Sequence, residues 1–291
     1  MNFYRNGNYT VCIMDDGTKI RRTDEDDFIP AFAENVDVKI TSKCSVGCKF
    51  CYENCRKDGE HASLFKYKFI ETLHPYTEIA LNGNDLDHPE LYSFLLYLKS
   101  RKVFPNITVH QYQFMNNYDK LTEWIDEKLI YGLGVSYDYC SEWFVQALKG
   151  IPNAVLHTIN GLLTEKDIED LSDKGLKLLI LGYKNLGRGM YFLDDHIVKI
   201  NDNQIMLRNK LEDLPNHFKV VSFDNLALEQ LNVKSLLTKE EWSEFYMGDD
   251  GKFTFYIDMV AGKFAKNSLS QERFDISDLS IDEMFNKIRQ L

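Results

Sequence analysis

The stretch Val36-Asp37-Val38-Lys39-Ile40-Thr41-Ser42-Lys43-Cys44-Ser45-Val46-Gly47-Cys48-Lys49-Phe50-Cys51 decides how the rest of the chain is read. Its first six residues are a β-branched run that reads as a strand. Three cysteines then follow at C-x3-C-x2-C spacing, in a segment too irregular for helix or strand. Downstream, short apolar runs recur at Glu78–Asn82, Ile107–Gln111, Gly132–Tyr137, Ala154–Ile159 and Leu176–Leu181. Helical patterns separate them at Ser63–Leu73, Pro89–Lys102, Tyr118–Leu129, Glu142–Lys149 and Thr164–Lys174, the last with Thr164 as N-cap and Gly175 after its end. Such alternation is the signature of βα units on a parallel sheet. Six such strands predict an α/β fold, a partial (β/α)6 TIM-like barrel or a strongly curved open sheet, with function gathered at the C-terminal strand ends.

Outward from this core, Asn8–Met14 and Thr18–Arg21 flank the turn residues Asp15-Asp16-Gly17 and predict an N-terminal β-hairpin. Beyond Leu181 a glycine-punctuated loop precedes a mixed region with a further strand at Phe218–Phe223. A second hairpin (Lys252–Val260 with Lys263–Lys266) and a closing helix at Ile281–Leu291 complete a C-terminal α+β extension. The expected organisation is a hairpin extension over 1–35, the barrel over 36–230 and a C-terminal extension over 231–291. The hairpin and tail are expected to cap or flank the barrel mouth.

The chain has 291 residues, 44% of them hydrophobic, enough for one large core. A net charge of −11 disfavours nucleic-acid or anionic-membrane partners. No apolar stretch approaches the roughly 20 residues that cross a bilayer, and the N-terminus has no apolar leader, so a cytoplasmic location is expected. Four of the six cysteines (Cys12, Cys44, Cys48, Cys51, Cys55 and Cys140) crowd into one segment, which in a reducing compartment reads as metal binding rather than disulfides.

Soft thiolates on a loop suit an iron–sulfur cluster. With Phe50 in the aromatic slot, Cys44, Cys48 and Cys51 resemble the C-x3-C-x-aromatic-C signature of the radical S-adenosylmethionine superfamily. The resemblance spans Val36 to about Leu181. It implies one [4Fe–4S] cluster held by Cys44, Cys48 and Cys51, whose fourth iron is chelated by S-adenosyl-L-methionine, with Phe50 near the adenine. It also implies reductive cleavage of that cofactor to a 5′-deoxyadenosyl radical that abstracts hydrogen from a small-molecule or peptide substrate. A low-potential donor, flavodoxin or ferredoxin, would reduce the cluster.

The segment Asn82-Gly83-Asn84-Asp85, before His88-Pro89, resembles the family's Gly-Gly-Glu-Pro turn that meets the cofactor's amino group. It departs from it at three positions. Gly83 matches, while Asn82, Asn84 and Asp85 replace Gly, Glu and Pro. As a strand-to-helix turn with proline opening the helix, these residues need no cofactor. Ser136 ends the fourth strand, where the family carries a hydroxyl near the cofactor. His157 and Asn160, on the fifth strand, are candidate ribose or methionine contacts. Lys184 and Arg188, in the glycine-rich loop, are candidates to reach a carboxylate, with Asp224 and Asn225 as weaker ones of the same kind. Cys140, just past the fourth strand, is a candidate catalytic thiol; core burial is the ordinary reading of it and of Cys12. Two alternatives remain: a zinc site completed by Cys55, and a non-catalytic iron–sulfur module. A hydrolase has no nucleophile–base pair in its favour.

Overall fold

The computed structural model describes Met1–Leu291. The chain opens with three strands where a two-stranded hairpin was expected. β1 (Asn2–Asn6), β2 (Tyr9–Ile13) and β3 (Lys19–Arg22) form an antiparallel sheet in that order. The extra strand turns at Gly7, whose φ of +59° and whose approach to Ile29 O, 1.8 Å from where a Cβ would stand, admit only glycine.

The βα series follows as β4 (Asn35–Lys39), β5 (Glu78–Asn82), α1 (Leu91–Ser100), β6 (Phe104–His110), α2 (Gln111–Asn116), α3 (Tyr118–Asp126), β7 (Gly132–Ser136) and α4 (Glu142–Lys149). It continues with β8 (Ala154–Ile159), α5 (Glu165–Leu171), β9 (Lys177–Leu181), α6 (Arg188–Lys210), α7 (Leu214–His217), β10 (Val220–Phe223) and α8 (Asn225–Gln230). The chain ends with α9 (Lys239–Phe245), β11 (Thr254–Asp258), β12 (Lys263–Ala265), β13 (Phe274–Asp275) and α10 (Ile281–Ile288). The predicted helix over Ser63–Leu73 is only a 3-10 turn, Lys68–Thr72.

One ten-stranded sheet runs β10-β9-β8-β7-β6-β5-β4-β11-β12-β13. It is mixed α/β and parallel from β10 to β11. Its two ends do not pair, so the sheet is open and no closed barrel forms. Two strands beyond the expected six enlarge its parallel part: β10 extends one edge, and β11 returns from the far end of the sequence to pair with β4, Tyr256 opposite Asp37.

Side chains alternate across this sheet. Val36, Val38, Ile79, Leu81, Ile107, Val109, Leu156, Leu178 and Ile180 join the 55-residue core, on the face packed by helices. Asp37, Lys39, Ala80, Asn82, Asn106, Thr108, His157 and Leu179 share the other face and retain access to solvent.

The N-terminal sheet docks against the starts of the strands, the end opposite the cysteine loop, which corrects the expectation that it flanks the mouth. Tyr4 stacks on Tyr76 ahead of β5, with ring centroids 5.5 Å apart. The Tyr131 hydroxyl donates to Met14 O ahead of β7 (3.3 Å), and Lys177 Nζ donates to Asp16 O at the start of β9 (2.8 Å). At its centre the buried Glu34 carboxylate accepts from Tyr9 Oη (2.5 Å), Arg21 Nε (2.9 Å), Arg21 Nη2 (3.1 Å) and Lys19 Nζ (3.3 Å).

Candidate functional site

The three cysteines lie on the loop leaving the C-terminal end of β4. This loop is pinned by backbone pairing, Cys44 N to Arg56 O (2.8 Å) and Arg56 N to Ser42 O (3.0 Å). Its root is fixed by Asn82, the last residue of β5: Oδ1 accepts from Ile40 N (2.7 Å) and Nδ2 donates to Thr41 O (2.8 Å). Both side-chain polar atoms of Asn82 are therefore committed to the cysteine loop rather than turned towards a cofactor.

From the opposite side the start of α6 closes on the same loop. Arg188 Nε donates to Cys48 O and Nη1 to Cys55 O, each at 3.0 Å, and its backbone N–H donates to Cys51 O at 3.1 Å. Arg188, expected to reach a cofactor carboxylate, braces the loop. Glycine is required beside it: a Cβ on Gly187 (φ +55°) would stand 2.4 Å from Tyr52 O. Lys184 Nζ is also occupied, donating to Ser268 Oγ (2.9 Å) over the Tyr52 ring (4.1 Å).

Cys44, Cys48 and Cys51 are each half-buried, whereas Cys55 is buried beneath them. The Cys55 thiol has one proton and two acceptors. It donates to Glu53 Oε2 (3.4 Å), and its hydrogen bond to Cys51 brings the Cys51 thiol down to about 6. Asn84 Nδ2 donates to the Cys55 sulfur (3.1 Å). Burial, then the charges of Cys51 and Cys44, push Cys48 up to about 11. The thiols are thus electrostatic neighbours, and as soft donors they fit an iron–sulfur cluster in kind. No three His, Cys, Asp or Glu side chains are gathered tightly enough to hold a metal ion, so neither cluster nor zinc finds a preassembled site.

The other expected contacts divide. Phe50 lies at the loop's tip, edge-on to Phe192 of α6, 5.9 Å between centroids. Ser136 and His157 are paired across β7 and β8 at the C-terminal end. His157 covers Gly134, where a Cβ would stand 2.3 Å from its Cε1, and burial lowers its pKa to about 4, leaving a neutral imidazole at neutral pH.

Gly83 is buried, and the position of a Cβ there is filled by Thr108 O (2.6 Å) and the Ile107 and Val109 side chains. Its lack of a side chain serves the packing of β5 on β6. Asn160 is wholly buried, with Nδ2 on Gln230 Oε1 (3.0 Å) and no partner for Oδ1, so no ligand touches it in this arrangement. Cys140 packs against the core and donates to Asp170 O (3.4 Å). Burial, then Asp170, raises its pKa, which disfavours the thiolate that nucleophilic work requires. Asp224 caps α8, accepting from Gly182 N and Ala227 N, both 2.8 Å, and Asn225 Nδ2 donates to Asp250 Oδ1 (2.7 Å).

Sequence reading passed over Asp37, Glu53 and the packing of Cys55. For Asp37 a signal existed: Val36 and Val38 alternate with it, so burying the valines turns its carboxylate to the opposite face. No local pattern marks the burial of Cys55, because Asn84 reaches it from the turn after β5 and Arg188 from α6.

No protein-family model matches the chain, and no curated protein matches it in sequence. Among solved structures, the crystal structure of Streptococcus suis SuiB bound to S-adenosylmethionine is similar in fold. It aligns over 90% of this chain and 68% of its own, with a TM-score of 0.56 and 11% identity.

Proposed function

We propose that this protein is a radical S-adenosylmethionine enzyme. The observation that carries this reading is the C-x3-C-x2-C loop at the C-terminal end of β4, inside a parallel sheet, braced from β5 by Asn82 and from α6 by Arg188. The fold shared with SuiB, bound in its crystal to S-adenosylmethionine, supports it.

Cys44, Cys48 and Cys51 would hold the [4Fe–4S] cluster, each on its own iron, so the thiols need not converge as a single ion requires. When bound, the cluster would supply one-electron reduction and S-adenosyl-L-methionine would supply the hydrogen-abstracting group. This chain's own residues orient and shield: Phe50 and Phe192 form an apolar wall beside the loop, and Ser136 and neutral His157, neither hydrogen-bonded through its side chain, offer polar atoms at the mouth. A cytoplasmic flavodoxin or ferredoxin as reductant and a small molecule or peptide as substrate complete the proposal.

A second reading has an observation in its favour. Asn82, Gly83 and Asn84, in the segment that resembles the cofactor-binding turn, are spent on structural contacts, as a non-catalytic iron–sulfur module would allow.

Anaerobic reconstitution with iron and sulfide, reduction, and mass-resolved detection of 5′-deoxyadenosine after adding S-adenosylmethionine separates the two. The product is expected from the wild type and lost in Cys48→Ala. Cys44→Ala, Cys48→Ala and Cys51→Ala should each lose iron, whereas Cys12→Ala retains it. A cluster without cleavage supports the module, and zinc in place of iron overturns both.

A further inference from the structure

We propose that the open face of the sheet is the substrate cleft and that Asp37 anchors there a substrate bearing a protonated amine. Asp37 lies in the middle of the sheet, between Tyr256 of β11 and Ala80 of β5, yet it is exposed. Exposure at the centre of a parallel strand means a wet cavity above it. Protein nonetheless surrounds it densely enough for desolvation to raise its carboxyl above the usual range. On the adjacent strand Ala80 presents only a methyl to that face. The N-terminal sheet occupies the far end of the strands, so a ligand enters from the side of the cysteine loop.

The cleft offers acceptors and few donors. Asp37 receives one hydrogen bond, from Asn35 Nδ2 to Oδ1 (3.2 Å), leaving Oδ2 free. Two strands away on the same face, Asn106 Oδ1 is buried against Gly132 with no partner and is not part of the anchor. The neighbouring cations are committed: Lys39 to Asp258 (3.7 Å), Lys184 to Ser268 and the Tyr52 ring, and Arg273 to the carbonyls of Ser268 (2.8 Å) and Ser270 (3.2 Å). A carboxylate with a free oxygen and no uncommitted cation beside it matches an ammonium, which donates three hydrogen bonds and accepts none.

Calling the amine a substrate rests on the proposed radical chemistry, but its binding does not. The test is saturation-transfer NMR and titration of the reconstituted full-length protein with three matched probes: phenethylamine, phenethyl alcohol and 3-phenylpropionate. The amine is expected to bind best. Asp37→Asn should weaken it by about tenfold or more, the loss of one charge-assisted contact, while Asp58→Asn, at a carboxylate 80% exposed, leaves it unchanged.

Equal binding of the three probes, or an amine preference that survives Asp37→Asn, overturns the proposal. If Asp37→Asn does not fold, Ala80→Leu fills the cleft from the adjacent strand, and undiminished amine binding there overturns it equally. Amine binding through Asp37 without 5′-deoxyadenosine release would sink the radical reading alone. Release without amine preference would sink only the anchor.

Discussion

At the scale of single residues, the cysteine loop owes its position to side chains that bind its backbone. Asn82 is the clearest case, because one amide satisfies a donor at Ile40 and an acceptor at Thr41, residues that are themselves buried. Leaving a buried backbone group unpaired costs about 1–3 kcal/mol. Asn82→Ala is therefore expected to destabilise the fold by roughly 2–4 kcal/mol in urea titration, with partial repair by water, and to lower iron retention after reconstitution. Asn82→Asp keeps the acceptor for Ile40 N and loses the donor to Thr41 O, so its cost should be intermediate. If both variants retain wild-type stability and iron, the loop is held by other contacts. The comparison also separates the two readings of the turn, since a residue acting only on a cofactor would leave apoprotein stability unchanged.

Elements were legible in the sequence wherever burial alternated cleanly. β5, β8 and α4 fall on their predicted bounds because turn residues and caps, such as Ser141 accepting from Phe144 N, mark both ends. Three features were not. Gln111 was placed in a strand, but His110 caps a new helix by accepting from Tyr112 N, so α2 begins there. The long α6, with its non-helical break at His196, carries apolar residues on its exposed side and shows no clean stripe. The pairing of β11 with β4 joins segments far apart in sequence, which no local pattern encodes. In the site, the spacing of the cysteines was legible, while the braces Asn82 and Arg188 were not, because their partners are backbone atoms. His157 on β8 gives this scale its own prediction. Its folded pKa, about 4 against 6.5 when unfolded, means the unfolded chain takes up the proton first. The associated stability is full above pH 6.5 and is lost as pH falls towards 4. Between pH 7.5 and 4.5 this one group should cost about 2–3 kcal/mol. His157→Gln should lose correspondingly less stability over that interval in paired melts, and an unchanged pH dependence would place a solvated imidazole there.

For the molecule as a whole, the N-terminal sheet is the part whose role its sequence position conceals. It could be an appendage, yet its contacts reach the starts of β5, β7 and β9, and its central ion network includes Glu34, immediately before β4. Burial alone would lift the Glu34 carboxyl, but Lys19, Arg21 and the hydrogen bonds from Arg21 and Tyr9 outweigh it and hold it below the ordinary range. Its contribution is therefore present at neutral pH and lost as acid protonates it. Removing one partner of such a network strands the others without compensation, typically at about 3–5 kcal/mol. Glu34→Ala is expected to lose that much in urea denaturation. Glu34→Gln should lose less, since its amide oxygen still accepts from Tyr9 or Arg21. Hydrogen exchange would show where the loss falls. If the sheet closes the end of the cleft, protection should drop together in β1–β3 and at the starts of β5, β7 and β9. Loss confined to residues 2–22 would mark an appendage, and would leave the cleft above Asp37 open at both ends.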